Sequence, residues 1–138
     1  MDNLNFEVGT TYIFAKTFTE QDVFLFAEVT GDYFPAHVNE EYSKATPYKD
    51  RIVHGVLTFS LASTVSGMAA IKSGHSAVAY GYDKLRFKLP VFFGDTITAT
   101  YTVTEIDEER KMITADCVMT NQKHDVVLTV IHYMKILD

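Results

Sequence analysis

With one cysteine, three prolines, no tryptophan and fewer basic than acidic residues (12 against 18), this chain lacks the equipment of several protein classes. A single thiol, Cys117, rules out an internal disulfide and a thiolate-based zinc site. It stands in a strand-like run and reads as a buried structural thiol. The net charge of −6 argues against general binding to nucleic acid or anionic membranes, since both need a basic surface. It leaves room for one anionic ligand held by a local Lys/Arg cluster. The five histidines show no HExxH or comparable ligand spacing, so no metal is expected, and neither GxGxxG, a P-loop nor a GxSxG elbow occurs. The opening residues MDNLNFEVG lack the basic-then-apolar pattern of a signal peptide, so a cytoplasmic location is expected.

What the chain does have is enough apolar sequence for one core. Its 138 residues are 47% hydrophobic and 22% charged, which suits a single soluble domain over 1–138. Tyr12 to Phe18 reads as a short strand. Thr19 and Asp22 then have the spacing of a capping box, Val23, Phe26, Ala27 and Thr30 fall at helical spacing, and Gly31 is placed to end the helix. Asp32 to Ile52 is a long, mostly irregular segment, of the kind that is often functional. From His54 to Ile71 apolar residues cover almost every face, interleaved with Ser, Thr and Gly, which predicts a buried helix rather than a membrane span.

From Ala77 onward the period becomes two. Leu85, Phe87 and Leu89 alternate with Lys84, Arg86 and Lys88, and Ile97 to Val103, Ile113 to Met119 and Val126 to Ile136 repeat the pattern. Turns are expected at Gly94-Asp95, Asp107 to Arg110 and Asn121 to His124. The resulting fold class is α+β: an antiparallel sheet wrapped around one buried helix, with Leu85, Ile97 and Ile113 facing it. Such a sheet leaves an edge exposed, and a homodimer or higher homo-oligomer continuing the sheet would cover it.

Chemistry concentrates in GDYFPAHVN, residues 31–39, which sets Asp32 and His37 five apart around Phe34 and Pro35. By themselves these are turn residues as readily as an acid–base pair. TGDYFPAH, RIVHG with the run VLTFSLAS, and LRFKLPVFFGD follow one another in order over nearly the whole chain. Together they resemble the MaoC-like, R-specific enoyl-CoA hydratases, which have the hot-dog fold. The resemblance implies that Asp32 and His37 are the catalytic pair, that the Gly55 N–H faces the thioester carbonyl, and that Ser63 lines the substrate site. Phe34 falls where that family usually has Asn. It would shape the pocket or cost the site one hydrogen bond, a loss of roughly one to two orders of magnitude in rate.

The implied reaction explains the residue types. Water addition across a 2-enoyl thioester needs a base for the water, an acid for the α-carbon and a donor for the enolate oxygen. A carboxylate and an imidazole on one water can do the proton work, and a backbone N–H at a helix start can hold the enolate. No cofactor is implied beyond the coenzyme A or acyl carrier protein that carries the substrate. Two alternatives remain open on the sequence: a non-catalytic acyl-thioester binding or regulatory subunit, motivated by Phe34, and a thioesterase. His54 reads as structural, a support for the start of the helix. Phosphates of coenzyme A could lie near the Lys84, Arg86 and Lys88 stripe, and Phe92 and Phe93 are expected to shape an acyl tunnel.

Overall fold

In the computed structural model, which describes residues 4–138, strand β1 (Thr11–Thr17) leads into helix α1 (Glu20–Thr30). Thr19 accepts from the Asp22 N–H at 3.2 Å, while the Asp22 carboxylate accepts from the Thr19 N–H at 2.9 Å. The expected capping box is complete. Gly31 ends the helix in the left-handed region, φ +81°, where its N–H reaches the Ala27 carbonyl at 2.7 Å. The following segment is less irregular than its composition suggests. It holds two short helices, α2 (Pro35–Val38), with proline at its first turn, and α3 (Glu40–Lys44), capped by Asn39.

The apolar stretch that follows is divided into α4 (Gly55–Phe59) and α5 (Leu61–Ser73). Ser60 turns tightly between them, its hydroxyl donating to the Leu57 carbonyl at 2.5 Å. By length and composition Gly55–Ser73 could cross a membrane. Its buried residues Leu61, Ala62, Val65 and Ala69 instead join the core, where α5 packs on β1 and β3. The expectation of burial all round fails on the opposite face, where Val56 and Ile71 are 58% and 81% exposed.

Strands β2 (Ala77–Phe87), β3 (Thr96–Asp107), β4 (Met112–Thr120) and β5 (Val126–Ile136) complete one antiparallel sheet in the order β1-β3-β4-β5-β2. Ile97, Tyr101, Ile113, Cys117 and Met134 line its buried face, and the Cys117 thiol is pushed up to about 12 by burial. β2 departs from simple alternation. Register shifts at Ala79/Gly81 and Asp83/Arg86, with Lys84 at φ +54°, leave Phe87 and Leu89 exposed where alternation points them inward.

One polar pair sits inside the sheet. Tyr101 on β3 and His132 on β5 reach each other across the small residues of β4, with Oη and Nδ1 2.6 Å apart. Burial lowers the His132 pKa to about 4. As pH falls, the unfolded chain takes up this proton first, near ~6.5, so stability is lost between there and about 4, by roughly 3 kcal/mol. The drop in Tm between pH 7 and pH 4.5 should therefore be steeper in the wild type than in His132→Phe. Parallel pH profiles would contradict it.

Candidate active site

Four contacts fix the segment around His37. Ile52 donates its N–H to the Ala36 carbonyl at 3.1 Å and accepts from His37 Nδ1 at 2.8 Å. The next residue, Val53, donates to the Val91 carbonyl at 2.7 Å, and Arg51 pairs with Glu20 on α1 at 2.5 Å. Because a carbonyl only accepts, Nδ1 of His37 carries the proton, and the Nε2 of the neutral ring keeps its lone pair. Burial is the largest influence on this half-buried imidazole and lowers its pKa below the ordinary value. The Ile52 carbonyl and the Asp32 carboxylate pull the other way, and charge on His54 adds to the lowering.

Asp32 follows the helix-ending Gly31. Its Oδ1 accepts from the Phe34 N–H at 3.3 Å, a local turn that holds the carboxylate with backbone alone. Phe34 therefore contributes its main chain to the site whatever its side chain does. The ring is 54% exposed and lies edge-on to His37 and Tyr42, with centroids 5.9 and 6.0 Å away. It also occupies the N-cap of α2 without a side-chain bond, a place where Asn would supply one.

His54 ties the two together. It is buried, its Nε2–H donates to the Asp32 carbonyl at 3.0 Å, and its ring stacks on His37 at 4.0 Å with 28° between planes. Phe26 of α1 backs it at 4.8 Å. One carboxylate oxygen of Asp32 and one nitrogen from each histidine lie within 4.8 Å of one another. A single water spans that distance with two ordinary hydrogen bonds of ~2.8 Å. The same three groups lie close enough together to ligate a metal ion, but Nδ1 of His37 and Nε2 of His54 are already committed to main-chain carbonyls.

Gly55 succeeds His54 directly and opens α4. Among the described residues its N–H has no acceptor. A β-carbon there would lie 2.8 Å from Cε1 of Phe87, so the glycine permits the close approach of that ring. Beside it a cavity of about 170 Å³ is bounded by Tyr48, Ile52, Thr58, Leu89 and Val91 among others. Ser63 lies elsewhere, on the exposed side of α5, against a second cavity bounded by β2 and β5. Phe92 and Phe93 line neither cavity; Phe92 bridges to Ile52 and Phe93 packs under Arg51. Of the Lys84, Arg86 and Lys88 stripe, only Lys88 borders the cavity at Gly55.

The family model described as a MaoC like domain matches residues 5–126. The chain belongs to the MaoC-like family. It is 44% identical over 106 residues to an (R)-specific enoyl-CoA hydratase of Rhodospirillum rubrum, covering 77% of this chain and 72% of the relative. It is 39% identical over 111 residues to a 3-hydroxybutyryl-CoA dehydratase of Methylorubrum extorquens, covering 80% and 69%. Among solved structures, the (R)-hydratase from A. caviae involved in PHA biosynthesis superposes with a TM-score of 0.83 at 31% identity, over 96% of this chain and 98% of that one. That similarity bears out the hot-dog architecture expected for a MaoC-like chain. His54 was readable in the sequence only as support for a helix start. Its contact with both Asp32 and His37 depends on the return of residues 51–54 against α2, which no local pattern encodes.

Proposed function

We propose that the protein adds water reversibly to a trans-2-enoyl-CoA, giving the R-3-hydroxyacyl thioester. The observation that carries this is the clustering of the Asp32 carboxylate with the His37 ring, one nitrogen of which lies within 4.8 Å of a carboxylate oxygen, while the Nδ1 bond to Ile52 leaves Nε2 free. Asp32 orients the water as a hydrogen-bond acceptor. His37 Nε2 takes a proton from it as the oxygen bonds to the β-carbon. The alkene electron pair moves onto the thioester oxygen, held by the Gly55 N–H, and His37 then returns the proton to the α-carbon. Atoms balance as one water added, and no cofactor is consumed. The names of the R. rubrum and M. extorquens relatives support coenzyme A as carrier. In this reading Ser63 and Phe34 also contact the substrate, as the family resemblance implies, although neither borders the cavity at Gly55.

The active unit in this reading is a cytoplasmic homodimer. The β2 edge, with Val78 and Tyr80 at 49% and 67% exposure, and the open faces of Phe34 and Val56 supply apolar surface for a second copy. The test is loss of the enoyl-thioester absorbance when protein is added to crotonyl-CoA, with chiral analysis of the product. Formation of R-3-hydroxybutyryl-CoA is expected. Tight binding without turnover would convict the binding-subunit alternative, and thiol release from saturated acyl-CoA would point to a thioesterase.

A further inference from the structure

The third of the three motifs, LRFKLPVFFGD, ends on a carboxylate to which the reaction above gives no part. Asp95 closes the connection between β2 and β3 upon itself. Its Oδ2 accepts from the Phe92 N–H at 2.8 Å, and its own N–H donates to the Phe92 carbonyl at 3.0 Å. The other oxygen, Oδ1, accepts from Gln122 Nε2 at 2.8 Å, and Gln122 Oε1 accepts in turn from the Thr96 N–H at 3.0 Å. The carboxylate is thus pinned from the turn between β4 and β5.

Residues 91–93 belong to no strand and neither do residues 51–53, but the two lie side by side. Val53 donates to the Val91 carbonyl at 2.7 Å, Ile52 bridges to Phe92, and the Arg51 guanidinium stands 4.8 Å over the Phe93 ring. Ile52 gives its own N–H and carbonyl to α2 instead, to the Ala36 carbonyl at 3.1 Å and to His37 Nδ1 at 2.8 Å. Ile52 is therefore the one residue between the turn that Asp95 closes and the bond that sets the His37 tautomer.

We propose that Asp95 is a positioning residue for the hydration step: by closing the 92–95 turn it holds the surface on which residues 51–53 rest, and so keeps the Ile52 carbonyl on His37 Nδ1. The inference rests on the hydratase reading for its effect on rate, and on the geometry alone for its effect on the ring. Without the carboxylate the Phe92 N–H loses its acceptor, the turn loosens and the Ile52 carbonyl drifts. A ring released from that carbonyl no longer has its proton fixed on Nδ1. A misplacement of ~1 Å can cost ~10²-fold in rate, so a drift of a fraction of that should cost about tenfold.

The experiment reads the ring and the rate separately. Nitrogen NMR of histidine-labelled protein, without substrate, reports which nitrogen of the neutral His37 ring is protonated, and His37→Ala assigns the signal. Rates on crotonyl-CoA are taken at a temperature where each variant is folded. Asp95→Ala should move the His37 proton from Nδ1 toward Nε2 and lower kcat about tenfold, with KM within about threefold. Burial, the largest influence, and charge on His54 lower the His37 pKa, while the Ile52 carbonyl and the Asp32 carboxylate raise it. Loss of the Ile52 bond removes a raising contact, so the acid limb of kcat should move to lower pH. A merely destabilised enzyme would keep that limb in place. Asp95→Asn keeps an oxygen for the Phe92 N–H, and Gln122→Ala strips one bond from the same carboxylate. Both should shift the readouts in the same direction by less, and both serve where Asp95→Ala fails to fold. A His37 tautomer and acid limb unchanged in every folded variant would overturn the proposal. A shifted tautomer in a protein that hydrates nothing would uphold the positioning and remove the hydratase.

Discussion

His37→Ala is expected to lower kcat for crotonyl-CoA hydration by about 10²–10⁴-fold, with KM changed far less. The imidazole is the group whose free nitrogen can take a proton from water bound at Asp32, because its other nitrogen is committed to the Ile52 carbonyl. Asp32→Asn should cost a similar order. It keeps an oxygen for the Phe34 N–H but loses the carboxylate that orders the water. Since Asp32 is exposed and held by one local turn, that variant should melt close to the wild type. The pH profile carries a sign. A base must be neutral to act, and burial lowers the His37 pKa, so the acid limb should lie below the ordinary ~6.5 and activity should fall as pH drops through it. A His37→Ala enzyme within a few-fold of wild type would remove His37 from the chemistry.

The second large effect belongs to a residue that touches no substrate. His54→Ala should lower stability by about 2–4 kcal/mol, through a core void and the loss of its bond to the Asp32 carbonyl. A domain of this kind has only about 5–15 kcal/mol in total, so the Tm shift should be easily measured by calorimetry. Activity should fall as well, because the Asp32 backbone and the His37 ring lose the same support. His54→Gln separates positioning from packing. It retains an N–H for the Asp32 carbonyl, so kcat should recover in part. A His54→Gln enzyme no more active than His54→Ala would show that the bond to the Asp32 carbonyl does not position the site.

The parts of this molecule that were legible in its sequence are those whose cause is local. Thr19, Asp22 and Gly31 bound α1 through bonds spanning three or four residues, and β3 and β4 alternate because one face of each is buried. β2 misled for an equally physical reason. Alternation assigns Phe87 and Leu89 to the core, but β2 shifts register around Lys84 and both are left exposed at its end, Phe87 against Gly55. In the site, Asp32 and His37 could be named from a motif. The stack of His54 on His37, and the distance of Ser63 from both cavity and pair at Gly55, arise from how separate segments fold back, and spacing does not report them.

The placing of β1 beside β3 has a consequence for how the molecule is made. Thr11 and Thr17 lie opposite Thr102 and Thr96, partners 91 and 79 residues away, whereas β3, β4 and β5 are joined by short turns. Closing a loop of that length is slow relative to forming a hairpin. The three-stranded meander is therefore the early structure, and β1 docks onto it late. Residues 31–55, which carry Asp32, His37, His54 and Gly55, lie within the loop that this docking closes. A refolding chain should regain most of its sheet before it regains any capacity to turn over substrate.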